Sequence, residues 1–150
     1  MNPRPNRQRL LLVNGPNLNL LGTRQPEVYG ATTLAEIESD VTAHAAQSGF
    51  EVRAVQSNHE GALIDAIHAA RGDCAAVIIN PGAYSHTSVA IADALRSVDL
   101  PVVEVHLSNV HAREEYRRHS FVSEVAAVVI AGAGPAGYEY AVRYLAAKLS

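Results

Sequence analysis

The chain has 150 residues, 48% hydrophobic and 18% charged, with a formal net charge of -3. This length suits one compact domain that buries roughly two thirds of its unfolded surface, and the balance excludes a disordered chain or a basic one that coats nucleic acid. The longest apolar stretch, residues 125–133, is about half of the roughly twenty residues a membrane helix needs, so no membrane partner is expected.

Residues 1–9 carry three arginines and two prolines with no apolar core behind them long enough for a signal peptide. They read as a flexible, cytoplasmic tail ahead of a catalytic α/β domain over residues 10–150. Apolar runs at 10–13, 50–55, 75–79, 102–105 and 125–131 read as strands. Between the first two, the segment from Gly22 to Gly30 carries Arg24 and Tyr29; it is either a lid or a plain surface connection. Leu34, Ile37, Val41 and Ala45 then recur at helical spacing behind Thr33, which makes a capping box with Glu36, and this helix ends near Gly49. A second helix is expected over 59–70 with Leu63, Ile64 and Ile67 inward, stopping at Gly72. A third follows Thr87 with Val89, Ala92 and Leu95 inward, a short charged one covers 112–118, and the last spans 137–149, burying Ala141, Leu145 and at least one tyrosine. Strands joined through helices call for a parallel sheet covered on both faces, and a flavodoxin-like, doubly wound, five-stranded single domain fits best.

Cysteine and lysine usage narrow the chemistry. A single cysteine, Cys74, excludes an internal disulfide or a multi-cysteine metal site and reads as structural. The only lysine is Lys148, near the C-terminus, which leaves a Schiff-base mechanism almost without a candidate. The seven histidines show no zinc-ligand spacing. Gly132, Gly134 and Gly137 form a G-x-G-x-x-G pattern, but only thirteen residues follow, too few for the acidic ribose ligand and next strand of a dinucleotide site. A tight turn with close helix packing is the better reading. Ser85, His86, Thr87 and Ser88 lack a nucleophile elbow and suit a helix N-cap.

In open α/β sheets ligands bind beyond the carboxyl ends of the strands. Three of those ends are polar: Asn14 to Asn17, Asn80 to Gly82, and His106 to Asn109. Each alone is compatible with ordinary turn chemistry; their convergence on one rim favours function. Glu104 and His106 lie two apart on one strand and face the same way. They form either a carboxylate-held imidazole suited to proton donation or a core histidine satisfied by backbone.

Four segments carry a resemblance to a known family: Asn14-Gly-Pro-Asn17-Leu, the stretch from Arg24 to Tyr29, Asn80-Pro-Gly82-Ala-Tyr-Ser-His86-Thr-Ser, and Glu104-Val-His106-Leu-Ser-Asn-Val-His-Ala-Arg-Glu-Glu. In order and spacing, over about residues 10–145, they resemble type II 3-dehydroquinate dehydratases. The resemblance implies a cofactor-free and metal-free trans elimination of water from 3-dehydroquinate to 3-dehydroshikimate, through an enolate, in the shikimate pathway. Tyr29 matches the base and Arg24 the partner that keeps it ionised. An ordinary tyrosine is ionised in only about one molecule in a thousand at neutral pH, a handicap of roughly 4 kcal/mol, which a neighbouring guanidinium reduces. His106 matches the general acid, Glu104 its orienting partner, and Asn17 the residue holding a water at the enolate oxygen. The backbone amides of Leu107 and Ser108 match the substrate carboxylate site, and Asn80, His86 and Arg117 the remaining contacts. Asp93 matches a residue reaching a neighbouring subunit's site, so trimers within a homo-dodecamer are expected. Three rivals are a flavodoxin-like binder of flavin or phosphate, a NAD-linked enzyme using the C-terminal glycines, and the lysine-dependent dehydratase disfavoured by the lone Lys148.

Overall fold

Apolar side chains at every position from Leu10 to Val13 and from Ala76 to Ile79 need cover on both faces of a sheet, and the fold supplies it. The computed structural model describes residues 8–23 and 25–150, the side chain of Tyr29 excepted. Five parallel strands, β1 (Arg9–Asn14), β2 (Glu51–Gln56), β3 (Ala76–Asn80), β4 (Val102–His106) and β5 (Val128–Ala131), lie in the order β2-β1-β3-β4-β5. The helices are α1 (Pro26–Tyr29), a single turn, then α2 (Leu34–Gln47), α3 (Glu60–Ala69), α4 (Val89–Val98) and α5 (Ala136–Leu149).

Strand alternation sorts the core into two layers. Leu10, Leu12, Ala76 and Ile78 face α2 and α5, meeting Ile37, Val41, Ala141 and Leu145. Leu11, Val13, Val77 and Ile79 face α3 and α4, meeting Leu63, Ile67, Ile91 and Leu95. Each fully buried Leu or Ile contributes about 1.5–3 kcal/mol, so the layers hold the sheet and leave the strand ends to other tasks. The chain is thus one flavodoxin-like, doubly wound α/β domain.

The capping box forms as expected: the Glu36 amide donates to Thr33 Oγ1 at 3.2 Å and the Thr33 amide to Glu36 Oε2 at 3.1 Å. Three expectations are corrected. β5 starts at Val128 rather than residue 125, because the amides of Val125 and Ala126 both turn back to the Val122 carbonyl, and their partly buried side chains pack against the α3/α4 layer. The charged segment 112–118 is not one helix but two 3-10 turns, Val110–Ala112 and Glu115–Arg117, interrupted by extended backbone at Arg113. Val89 is exposed rather than inward: Ser88 caps α4, and the buried stripe runs through Ile91, Ala92, Ala94, Leu95 and Val98.

Candidate active site

At the carboxyl rim, β1 and β3 end in register with Asn14 beside Asn80. The loop after β1 crosses close to that after β3: the Gly15 amide donates to the Asn80 carbonyl at 2.8 Å. A Cβ on Gly15 would stand 2.3 Å from the Pro81 carbonyl oxygen, so only glycine allows this approach. Both asparagines face the α2/α5 layer, where the buried Tyr138 meets them. Its hydroxyl donates to Asn14 Oδ1 at 2.6 Å and accepts from Asn80 Nδ2 at 3.0 Å, while Asn80 Oδ1 accepts from the Gly82 amide at 3.1 Å. Burial pushes the Tyr138 phenol up, which keeps it a neutral donor.

On the opposite face of the sheet, β4 presents Glu104 and His106 two residues apart. His106 Nε2 is hydrogen-bonded to Glu104 Oε2, and the Ser123 hydroxyl donates to Glu104 Oε1 at 2.7 Å. Glu104 is fully buried. Burial pushes its carboxyl up, but the bonds from His106 and Ser123 outweigh that and hold it below the usual carboxylate range. A charged carboxylate there fixes the ring, leaving Nδ1 as the nitrogen not engaged by Glu104.

The two faces meet in a cleft of about 90 Å³, whose lining includes Asn17, Asn80, His86, His106, Ser108 and Arg117. Asn17 holds a left-handed backbone (φ 69) with its amide donating to Asn58 Oδ1 at 2.9 Å. His86 Nδ1 donates to the His119 carbonyl at 2.7 Å, which leaves Nε2 for the cleft. Arg117 Nε donates to Glu114 Oε2 at 2.7 Å, and Glu114 is held low first by its own backbone amide and then by Arg117. Leu107 and Ser108 follow β4 and also line the cleft. Their loop is pinned by Gly132 and Gly134, whose amides donate to the carbonyls of His106 and Leu107 at 3.2 and 3.0 Å. The glycine pattern is therefore a brace for this loop, and a Cβ on Gly137 would press on Val105 and Ile130 at 3.3 Å, the close helix packing expected of it.

Of the residues singled out by sequence, Asn17, Asn80, His86, His106, Leu107, Ser108 and Arg117 gather at one cleft, with Glu104 behind His106. Asp93 does not join them: it is exposed on α4 and pairs with Arg96 at 3.1 Å. Arg24 and the side chain of Tyr29 lie outside the described residues; the backbone of Tyr29 ends α1. Sequence reasoning missed Arg113, which lines the cleft and reaches Ser108 Oγ at 3.5 Å. It also missed Ser123, Asn58 and Tyr138, whose partners are distant in sequence; no local spacing marks such residues.

A cleft with an imidazole held by a buried carboxylate, and with guanidinium groups on the same wall, suits proton donation to an anionic ligand. The family model for class II dehydroquinase matches residues 8–146. The chain belongs to the class II dehydroquinase family. As a dehydroquinase it is a hydro-lyase. It is 59% identical over 138 residues to a catabolic 3-dehydroquinase of Verticillium alfalfae, covering 92% of each chain. Against a catabolic 3-dehydroquinase of Emericella nidulans it is 58% identical over 137 residues, covering 91% of this chain and 90% of that one. Among solved structures, the type II dehydroquinase of Butyrivibrio crossotus superposes with a TM-score of 0.90 at 42% identity, covering 93% of this chain and 97% of that one.

Proposed function

We propose that the chain removes water from 3-dehydroquinate by trans elimination through an enolate, giving 3-dehydroshikimate, with Tyr29 as base and His106 as acid. The observation that carries this reading is the Ser123–Glu104–His106 chain, buried at Glu104 and His106 and ending at the cleft. A carboxylate kept charged in the interior orients the imidazole toward the cleft, as a general acid requires. In this scheme Tyr29, ionised with the help of Arg24, takes the proton next to the ketone. His106 then delivers its proton to the departing hydroxyl, which leaves as water. The proton on Tyr29 returns to solvent and His106 is recharged, so charge and atoms balance over the cycle.

The developing enolate oxygen is met by a water that Asn17 holds. The amides of Leu107 and Ser108 bind the substrate carboxylate, and Asn80, His86 and Arg117 the hydroxyls and remaining acid contacts. The cationic wall of the cleft supports an anionic substrate. Asp93, exposed on α4, is free of any task in its own cleft and is assigned to a neighbouring subunit's site, within trimers of a dodecamer in the cytoplasm.

The test is an absorbance assay for the conjugated enone formed from 3-dehydroquinate, run with and without a chelator and after borohydride treatment in the presence of substrate. Turnover unaffected by either addition is expected. Inactivation by borohydride would assign the reaction to a Schiff base instead, and inhibition by the chelator would put a metal in the mechanism.

A further inference from the structure

Tyr138 lies on α5, in the core, yet its oxygen joins the ends of two strands that shape the cleft. A phenol has one proton to give, and here it goes to Asn14 Oδ1. The same oxygen can therefore only accept from Asn80, which obliges Asn80 to turn its nitrogen toward the core. On its other side the Gly82 amide, a donor only, obliges Asn80 to present its oxygen. The two constraints agree and define one orientation of the Asn80 amide, whose second N–H is then the donor a ligand in the cleft can take. Among the described residues, Asn14 Nδ2 is buried without a hydrogen-bond partner.

From this geometry we infer that Tyr138 is a positioning residue: it sets the Asn80 amide as a hydrogen-bond donor to a substrate oxygen. The inference rests on the reading above, in which Asn80 contacts the substrate. A phenylalanine would fill the same space, so a purely structural tyrosine and a positioning one differ in what Tyr138→Phe does to binding rather than to folding. Without the hydroxyl, Asn80 loses one of the two partners that hold its amide and keeps only the Gly82 contact. In Asn14→Ala the hydroxyl loses its own acceptor and its proton is no longer directed away from Asn80, which weakens its hold on the Asn80 amide nitrogen. Both changes leave the Asn80 amide held firmly on the Gly82 side only, so its N–H is presented to the substrate less rigidly.

The experiment is a double-mutant cycle of Tyr138→Phe and Asn80→Ala, with KM, kcat and melting temperature measured for each protein. Tyr144→Phe serves as a control that removes a second α5 hydroxyl. For Tyr138→Phe a five- to tenfold rise in KM is expected, with kcat changed by less than about threefold, the size of one neutral hydrogen bond in a binding step. In the Asn80→Ala background the same substitution should leave KM unchanged, and Tyr144→Phe should leave KM unchanged throughout. An unaltered KM in folded Tyr138→Phe overturns the inference, as does an equal rise in KM with Asn80 already removed. Should Tyr138→Phe not fold, Asn14→Ala decides: a raised KM supports the inference and an unchanged one overturns it. Failure of the wild-type chain to turn over dehydroquinate would instead defeat the reading of function on which it rests.

Discussion

The two ends of the sheet differ in a way that separates space from chemistry. At the amino ends of the strands lies a hollow of about 760 Å³, lined by residues such as Phe50, Cys74, Leu100, Pro101 and Leu149. At the carboxyl ends the cleft is about 90 Å³, yet it collects Asn17, Asn80, His86, His106 and Arg117. Burial pushes the Cys74 thiol up, away from the reactive thiolate, whereas Glu104 is kept charged by bonds made for that purpose. Size alone would select the amino end. Convergent polar groups at strand termini, with Asn80 and His106 held by the buried Tyr138 and Glu104, favour the carboxyl end.

The sharpest way to break this comparison is Tyr29→Phe. Loss of a general base costs about 10²–10⁴ in rate, so turnover should vanish into the background while calorimetry still detects dehydroquinate binding. Retained turnover would remove the assigned base. Ser123→Ala should act more mildly, lowering kcat/KM about five- to tenfold through the loss of one hydrogen bond to a charged group. It also carries a pH signature. The folded Glu104 carboxyl sits below its ordinary value, so the stabilisation it gives is present above that ordinary value and is lost as pH falls through the folded one. Removing the Ser123 bond raises the folded value, and both melting temperature and activity should begin to fall at a higher pH than in the wild type. An unshifted acid limb would detach Ser123 from the relay. At the other end of the sheet, Cys74→Ala should change kcat/KM by less than about twofold while lowering stability by about 1 kcal/mol, the cost of a small cavity. A large kinetic effect there would make the amino-end hollow part of the active site.

Much of this was readable before any coordinates. Unbroken apolar runs at 10–13 and 76–79 announce strands buried on both faces, and Thr33 with Glu36 marks a helix start that forms as written. Glu104 and His106 needed only the two-residue period of a strand to be placed on one face. The run 125–131 misled because a short apolar stretch satisfies a packed turn as well as a strand, and Val125 and Ala126 partly bury their side chains without extending. Val89 misled because the register of a helical stripe depends on where the cap falls, and Ser88 places it one residue before Val89. The supporting polar bonds were beyond reach for another reason: Tyr138 is 124 residues from Asn14 and Ser123 is 19 from Glu104, separations that only the packed topology closes. What the resemblance added was the assignment of roles to residues whose types and spacing alone left function and ordinary turn chemistry both open.

The most direct test of the central claim, that the carboxylate-held imidazole at the carboxyl rim drives the elimination, is the rate of enone formation from 3-dehydroquinate by His106→Ala beside the wild type at equal folded concentration. The account predicts product from the wild type and a kcat lower by at least about a hundredfold in the variant, with substrate binding retained. Comparable rates from the two proteins would contradict it.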